Sequence, residues 1–267
     1  MAPSRPRPPR FGEEGKELSY SSYLKVPDLL SLQNLLSHPP AHDELLFIVV
    51  HQVYELWFKE IVFELATIRD RMLAEDDHRA RRLLERVHRI ERVLIEQIPV
   101  LESMTPQDFL EFRTELAPAS GFQSVQFREI EFISGLKERG YLNRLAATDE
   151  ERARLERRLE EPSLWDAFGE LLSTRGLPMP PDDEDVRRDS LLRMARERRA
   201  FGGLFELSEA LLTHDELFAQ WRYRHVLMVE RQIGSKTGTG GSTGASYLRG
   251  TLDKRFYPEL WDLRSYL

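Results

Sequence analysis

The sequence predicts an all-α fold, and three observations lead to this prediction. Apolar residues recur at spacings of three and four along most of the chain, which is the period of an amphipathic helix. Alternation with a period of two, typical of half-buried strands, is almost absent. The 267 residues are 41% hydrophobic and 10% aromatic, which is enough to fill a substantial core. We therefore expect one helical domain at residues 18–267, preceded by a disordered, Pro- and Arg-rich arm at residues 1–17.

Two long helices and a capped third one are predicted in the first half. The first runs from about Asp43 to Leu73, and the second, with one apolar stripe, runs from about His78 to Ile98. Thr105 followed by Pro106 marks a third helix, because Thr caps helices and Pro fits their first position.

The second half shows the same signals and one break. The segment at residues 177–186 is rich in Pro and Asp, but helices continue on both sides, so we interpret it as an excursion within one domain. Gly234 is the expected C-cap of the last long helix. The predicted elements are a helix from Ser120 to about Ile133, one from Thr148 to about Glu161, the long helix from about Phe205 to Ile233, and a short helical tail from Ala245 to Leu267.

Composition excludes several classes of function. A formal net charge of -7 gives no broad attraction to nucleic acid or to an anionic membrane surface. The absence of cysteine excludes disulfides, thiolate-held cofactors and cysteine nucleophiles, so histidine becomes the main candidate ligand for a transition metal. The longest apolar run, Leu45 to Val50, is far below the ~20 residues that span a bilayer, and the N-terminus lacks the apolar core of a secretory signal. We expect a cytoplasmic protein with neither a nucleic-acid nor a membrane partner.

Two histidines lie in apolar helical surroundings. His51 lies in HDELLFIVVHQVYELWFKE and has Phe47 one turn away, and His225 lies in WRYRHVLMVERQIGSKTGTGGSTG beside Trp221 and Met228. Aromatic and Met neighbours are typical of core packing, where each imidazole needs a hydrogen-bond partner. They also suit a flat apolar cofactor such as a haem, held by one histidine and open to dioxygen and substrate on the other side. The residues alone leave both interpretations open.

The other histidines are predicted to have ordinary roles. Two Glu-x-x-His pairs, Glu75 to His78 and Glu85 to His88, resemble part of a di-iron ligand set. That site needs the pairs on separate helices, whereas these lie in one strongly charged stretch, so we expect a solvated surface. Surface or capping roles are predicted for His38, His42 and His214.

The segment SKTGTGGSTG after the last long helix is not a phosphate-binding loop. The Walker pattern needs Gly where Ser235 stands, and both common phosphate patterns follow a strand rather than a helix. A mobile loop that closes over a small substrate, with a hydroxyl from Thr239 or Ser242, fits better, and a flexible linker is the alternative.

Arg113 follows Phe109 and Phe112 on the predicted helix after Thr105. A guanidinium in such a place can bind a carboxylate in a bidentate manner, or it can be a surface arginine.

Several long blocks, in order, resemble the tryptophan 2,3-dioxygenase family of haem enzymes. They are YSSYL at Tyr20–Leu24, the two histidine blocks, FLEFRTELAPASGFQSVQFREIEF at Phe109–Phe132, and YLRGTL at Tyr247–Leu252. The resemblance covers nearly the whole chain except the N-terminal arm and the charged residues 146–200. It implies a helical bundle that encloses one b-type haem per subunit. The implied activity inserts both atoms of O2 across the indole C2=C3 bond of L-tryptophan, giving N-formyl-L-kynurenine, the first step of the kynurenine pathway.

The resemblance also implies roles for individual residues. His225 would be the proximal ligand of the haem iron, and His51 would be the distal, catalytic histidine near the indole N–H. Phe47 would pack on the indole, and Ser120 and Gly121 would line the haem pocket. Arg113 would bind the substrate carboxylate, and Thr239 would contact the ammonium and carboxylate end of the substrate. Phe109 stands where some relatives carry a Tyr that contacts the carboxylate.

The implied assembly is a homotetramer, a dimer of dimers. In this family Tyr20, Tyr23 and Leu24 would reach the substrate pocket of a neighbouring subunit.

Three other functions are consistent with parts of the pattern. One is a related haem-dependent monooxygenase of secondary metabolism that acts on an indole or a tryptophan derivative. Another is a haem sensor or carrier that uses both histidines as iron ligands. The third is a helical bundle without haem.

Overall fold

The computed structural model describes residues 18–145, 147–241 and 243–267. Helices and their connections make up this part of the chain, and no strand occurs in it, which confirms the all-α prediction. The predicted disordered arm lies outside the described residues. The division of the chain into an arm and one domain stays a prediction.

The described residues form twelve α-helices, which we number in chain order. They are α1 (Tyr20–Leu24), α2 (Val26–Leu29), α3 (Glu44–Leu73), α4 (Asp77–Glu102), α5 (Pro106–Phe112), α6 (Val125–Ser134), α7 (Asp149–Glu160), α8 (Leu164–Thr174), α9 (Glu184–Arg196), α10 (Arg198–Ile233), α11 (Ala245–Arg249) and α12 (Pro258–Asp262). Short 3-10 turns cover Arg113–Leu116, Gly121–Gln123, Arg139–Asn143 and Leu263–Ser265.

The centre of the fold is α4, which packs against both long helices, α3 and α10. Its sequence has a charged face and an apolar face, and the apolar face supplies Leu84, Val87, Leu94 and Ile98 to the core. Helices α6 and α8 pack on α3, and α9 packs on α10.

Most predicted helix ends are confirmed by their caps. The Thr105 hydroxyl accepts a hydrogen bond from the Asp108 N–H, and the Thr148 hydroxyl accepts one from the Glu151 N–H. Gly234 ends α10 with a φ of 59°, a left-handed value that an L side chain would oppose.

Two predicted helix starts are wrong. Ser120 caps a 3-10 turn rather than a continuous helix, and α6 begins only at Val125, behind a second cap at Ser124. The last long helix starts earlier than predicted, at Arg198, with a kink at Phe201. In both places a second local cap or kink interrupts an otherwise helical pattern.

No helix formed by the described residues combines the length and the apolar character needed to cross a membrane. The cytoplasmic location stays a prediction.

Candidate active site

A largely apolar cavity opens between α3, α5, α6, α10 and the glycine-rich loop, which the structure describes at residues 234–241 and 243–244. Its volume is about 280 Å³. Eight residues to which the sequence analysis assigns a role in the site line this one cavity: Phe47, His51, Phe109, Arg113, Ser120, Gly121, His225 and Thr239.

His51 enters the cavity from α3 in a defined tautomer. Its Nδ1 lies 2.7 Å from the carbonyl oxygen of Phe47, so Nδ1 carries the hydrogen and donates it. Burial lowers the pKa of the imidazole, and the Phe47 bond and the Glu55 carboxylate only partly oppose this. The neutral ring therefore presents Nε2 as a hydrogen-bond acceptor.

His225 enters the cavity from α10. Its ring stacks on the indole of Trp221, with centroids 5.0 Å apart and planes within 7° of each other. Burial, with a smaller contribution from the charge of a protonated His51, lowers the pKa of His225 to about 4. Within the described residues neither ring nitrogen of His225 has a hydrogen-bond partner. A neutral imidazole with a free lone pair is the form in which histidine binds metals.

The residues around His225 fit a haem better than a protein-bound metal ion. The described chain contains no group of three or more His, Asp or Glu side chains that could hold a metal by itself. A metal at His225 would have to bring most of its own ligands, as the iron of a porphyrin does. The cavity offers such a flat group the apolar faces of Phe127, Trp221, Met228 and Leu248.

The polar groups for a substrate gather at the glycine-rich loop. The guanidinium of Arg113, just after α5, donates to the carbonyl of Thr237. The hydroxyl of Thr239 donates to the carbonyl of Ala119 at 2.6 Å. The loop thus lies across the segment that carries Ser120.

The loop reaches this position because Gly240 has no side chain. A Cβ built there would lie 2.5 Å from the Cβ of Ser120, closer than packed carbons approach. Ser242, the other hydroxyl considered in this loop, lies outside the described residues.

Aromatic rings form a slot next to His51. The Phe47 ring lies 4.1 Å from the His51 ring and 5.7 Å from that of Phe109, centroid to centroid, and Phe112 meets it edge-on at 5.5 Å. Because Phe109 lacks a hydroxyl, this slot adds no polar contact of its own beside Arg113.

Tyr20, Tyr23 and Leu24 do not line the cavity of their own chain. They lie on α1 with 79%, 70% and 44% of their surfaces exposed. Their predicted role therefore requires the cavity of another copy.

Two histidine predictions are wrong. His214 is fully buried, with Nδ1 2.6 Å from a Glu91 carboxylate oxygen and Nε2 2.8 Å from the Ser134 hydroxyl. His88 is buried too, with Nε2 2.9 Å from the Ala210 carbonyl. The apolar face of α4 that packs on α10 also includes His88 and Glu91. Because their neighbours on the other face of α4 are charged, the sequence pattern predicted an exposed surface there.

The other members of the two Glu-x-x-His pairs are exposed as predicted. These are Glu75, His78 and Glu85.

Sequence reasoning missed three charged residues of the cavity wall. Arg128, Glu131 and Arg222 are buried and line the cavity. The available signal was spacing, since Arg222 lies three residues before His225, on the same side of a helix.

Comparison with known proteins agrees with the geometry. The sequence pattern of the family described as tryptophan 2,3-dioxygenase matches residues 7–179 and 184–267. The chain belongs to the tryptophan 2,3-dioxygenase family. The match extends through most of residues 146–200, a segment that the resemblance of the sequence blocks does not cover.

Individual relatives are similar over almost their full length. A protein named tryptophan 2,3-dioxygenase from Nocardioides sp. is 58% identical over 263 residues, covering 96% of this chain and 97% of the relative. Proteins of the same name from Herpetosiphon aurantiacus and Caulobacter vibrioides are 47% and 40% identical. They cover 93% and 94% of this chain, and 98% and 99% of the relatives.

Proposed function

We propose that this chain is a haem-dependent dioxygenase that converts L-tryptophan to N-formyl-L-kynurenine by inserting both atoms of O2 across the indole C2=C3 bond. One observation carries the proposal. His51 and His225, from two separate helices, line one apolar cavity together with Arg113 and Thr239, in a chain of this family.

The cofactor would be one haem b per chain. His225 would hold the iron, because its imidazole is neutral and without a partner among the described residues, and Ser120 and Gly121 would lie along the haem edge. When bound, the haem supplies the iron centre at which dioxygen is activated.

The carboxylate of the amino acid would be bound at the glycine-rich loop. A guanidinium has five N–H donors, and Arg113 uses one of them on Thr237, so a bidentate pair remains for a carboxylate. The hydroxyl of Thr239 would contact the ammonium and carboxylate end once it exchanges its bond to Ala119. These contacts would close the loop over the substrate.

The indole would be oriented by His51 and Phe47. With its Nδ1 hydrogen donated to Phe47, the imidazole offers Nε2 to accept the indole N–H. An indole N–H is a very weak acid, so the role of His51 is to position the ring rather than to remove its proton. The aromatic slot around Phe47 excludes water from the reacting bond.

A homotetramer, built as a dimer of dimers, is part of the proposal. Large apolar side chains stand exposed on α1 and also along the outer face of α3, at Leu45, Val49, Leu56 and Phe63. Apolar patches of this kind mark surfaces that other chains cover. Tyr20, Tyr23 and Leu24 would complete the substrate pocket of a neighbouring subunit. The mass of the particle, measured by light scattering during gel filtration, tests the assembly.

The activity is tested by product mass. The haem-loaded protein is reduced without air, mixed with L-tryptophan and then exposed to air, and the product is identified by mass spectrometry. A product heavier than tryptophan by two oxygen atoms supports the proposal. A gain of one oxygen would place the chain among the monooxygenases, and no product despite bound haem would indicate another substrate or a sensor. A sensor that uses both histidines as ligands would show six-coordinate ferrous haem that resists carbon monoxide.

A further inference from the structure

Three charged side chains form a buried cluster in the cavity wall, which we call the Arg–Glu–Arg cluster. Arg128 and Glu131 come from α6, and Arg222 comes from α10. They expose only 5%, 2% and 3% of their surfaces, and all three line the cavity. None of the three has a role in the proposed reaction.

The cluster carries more positive than negative charge. One carboxylate oxygen of Glu131 pairs with Nη1 of Arg128, and the other pairs with Nη2 of Arg222 at 2.7 Å. Arg222 also donates to the carbonyl of Lys254 at 3.2 Å, but a carbonyl brings no charge. Two guanidiniums against one carboxylate leave a net charge of +1.

Among the described residues, no carboxylate other than Glu131 forms an ion pair with Arg128 or Arg222. The neighbouring cation Lys254 pairs with Glu138 and donates to the Tyr141 hydroxyl at 3.1 Å. The ring of Tyr141 lies under Arg128, 3.9 Å from its central carbon, and this contact supports the cation without neutralising it. A buried positive charge without a counter-charge is unfavourable, and binding of an anion would stabilise it.

Arg128 is the member of the cluster with unused hydrogen-bond donors. Of its five N–H groups, the described chain accepts only the one directed from Nη1 to Glu131. Its Nε is buried and has no hydrogen-bond partner there. An arginine with unused donors in the wall of a cavity is suited to a carboxylate that enters through that cavity.

We propose that Arg128, supported by Arg222, binds a propionate carboxylate of the haem. This inference rests on the proposed function, since it needs a haem in the cavity. A propionate is the expected carboxylate for two reasons. Arg222 lies three residues before His225 on the same face of α10, so the cluster borders the position assigned to the cofactor. The carboxylate of the amino acid has its own partners in Arg113 and Thr239.

The test compares haem with its dimethyl ester, in which both propionates are uncharged. The full-length apoprotein is titrated with each compound, and binding is followed by the absorption of the bound haem. For the wild type we expect the ester to bind at least about tenfold more weakly, because a hydrogen-bonded charge pair is lost. In Arg128→Met the haem should bind about as weakly as the ester, so the discrimination should disappear.

Two variants serve as controls. Arg113→Met should keep the full discrimination between haem and ester, and should weaken tryptophan binding only. Glu131→Gln removes the negative charge of the cluster and should increase the discrimination several-fold. Glu131→Gln should increase the discrimination between haem and ester, whereas Arg128→Met should abolish it. The Glu131 variant therefore tests the inference even if Arg128→Met does not fold.

The possible outcomes separate this inference from the proposed function. Equal discrimination in the wild type and Arg128→Met, or no increase in Glu131→Gln, would overturn the inference. So would Arg128→Met with normal haem binding and weakened tryptophan binding, which would assign Arg128 to the substrate carboxylate. A wild type that binds no haem at all would overturn the proposed function itself.

Discussion

Two pairs of histidines in the described part of the chain differ in their partners. In the core, His214 has both ring nitrogens bonded, to Glu91 and Ser134, and His88 is bonded to Ala210. In the cavity, His51 has one nitrogen bonded, and within the described residues His225 has none. The count of hydrogen bonds separates His214, which has two, from His225, which has none, whereas His51 and His88 have one each and differ in that only His51 lines the cavity.

Helix α10 carries one histidine of each kind on a single stripe. His214, Phe218, Trp221 and His225 follow one another at spacings of four, three and four, so they share one side of the helix. The stripe begins in the core, where Glu91 meets it, and ends in the cavity. Replacing His214 and His225 one at a time is therefore a direct test of how the two histidines differ.

The largest effect is expected for His225→Ala. Because the variant lacks the only ligand proposed for the iron, haem per folded chain should fall to near zero. Haem is measured by the pyridine haemochrome method after unbound haem has been removed. His42→Ala, at an exposed histidine, is the matched control and should keep its haem. Equal haem content in His225→Ala and the wild type would contradict the assignment.

Replacing the core histidine should affect stability instead of haem. His214→Leu leaves the buried Glu91 carboxylate without its partner, and such a loss costs about 3–5 kcal/mol of unfolding free energy. Urea unfolding measures this value. The double variant Glu91→Leu with His214→Leu should recover most of it, since the unpaired group is gone. A loss below about 1 kcal/mol in the single variant would show that the pair is not structural.

Substrate binding should depend on Arg113. Arg113→Met should weaken L-tryptophan binding by about 2–4 kcal/mol, because a desolvated carboxylate loses its counter-charge. Binding is measured by absorption changes of the haem-loaded protein. Tryptamine, which has no carboxylate, is the control ligand and should bind both proteins equally. An equal loss for tryptamine would show that the substitution damages the pocket as a whole.

Acid should weaken the folded state through the histidines that are buried in neutral form. Burial lowers the pKa of His88 to about 4, whereas an unfolded histidine has a pKa near 6.5. Between these values the unfolded chain binds more protons, so the free energy of unfolding must fall as the pH drops.

Through His88, lowering the pH from 7 to 5 should reduce the free energy of unfolding by about 1–2 kcal/mol, which urea unfolding at the two pH values measures. His88→Gln, which keeps a donor for Ala210, should reduce this dependence. An unchanged pH dependence in His88→Gln would assign the effect to other groups.

The smallest effect is expected for His51→Ala. The variant should keep its haem and lose about tenfold in kcat/KM for L-tryptophan, as expected for one hydrogen bond. With 1-methyltryptophan, which has no indole N–H, wild type and variant should differ little. A loss above about a thousandfold for L-tryptophan would instead indicate that His51 removes a proton.

The sequence was sufficient for features that depend on nearby residues. The period of the apolar residues located α3 and α4, and the caps at Thr105, Thr148 and Gly234 were predicted correctly. Caps and helical stripes are made within one or two turns of chain, so their signals are visible without any tertiary information.

Tertiary structure decided which helix faces became core and which became cavity. His88 and His214 read as surface residues because their neighbours are charged, yet the packing of α4 on α10 buries both and supplies Glu91 as a partner. The Arg–Glu–Arg cluster likewise exists only where α6 meets α10. A hydrogen bond or an unbalanced charge between distant helices depends on how the helices pack, and no local spacing in the chain encodes that packing.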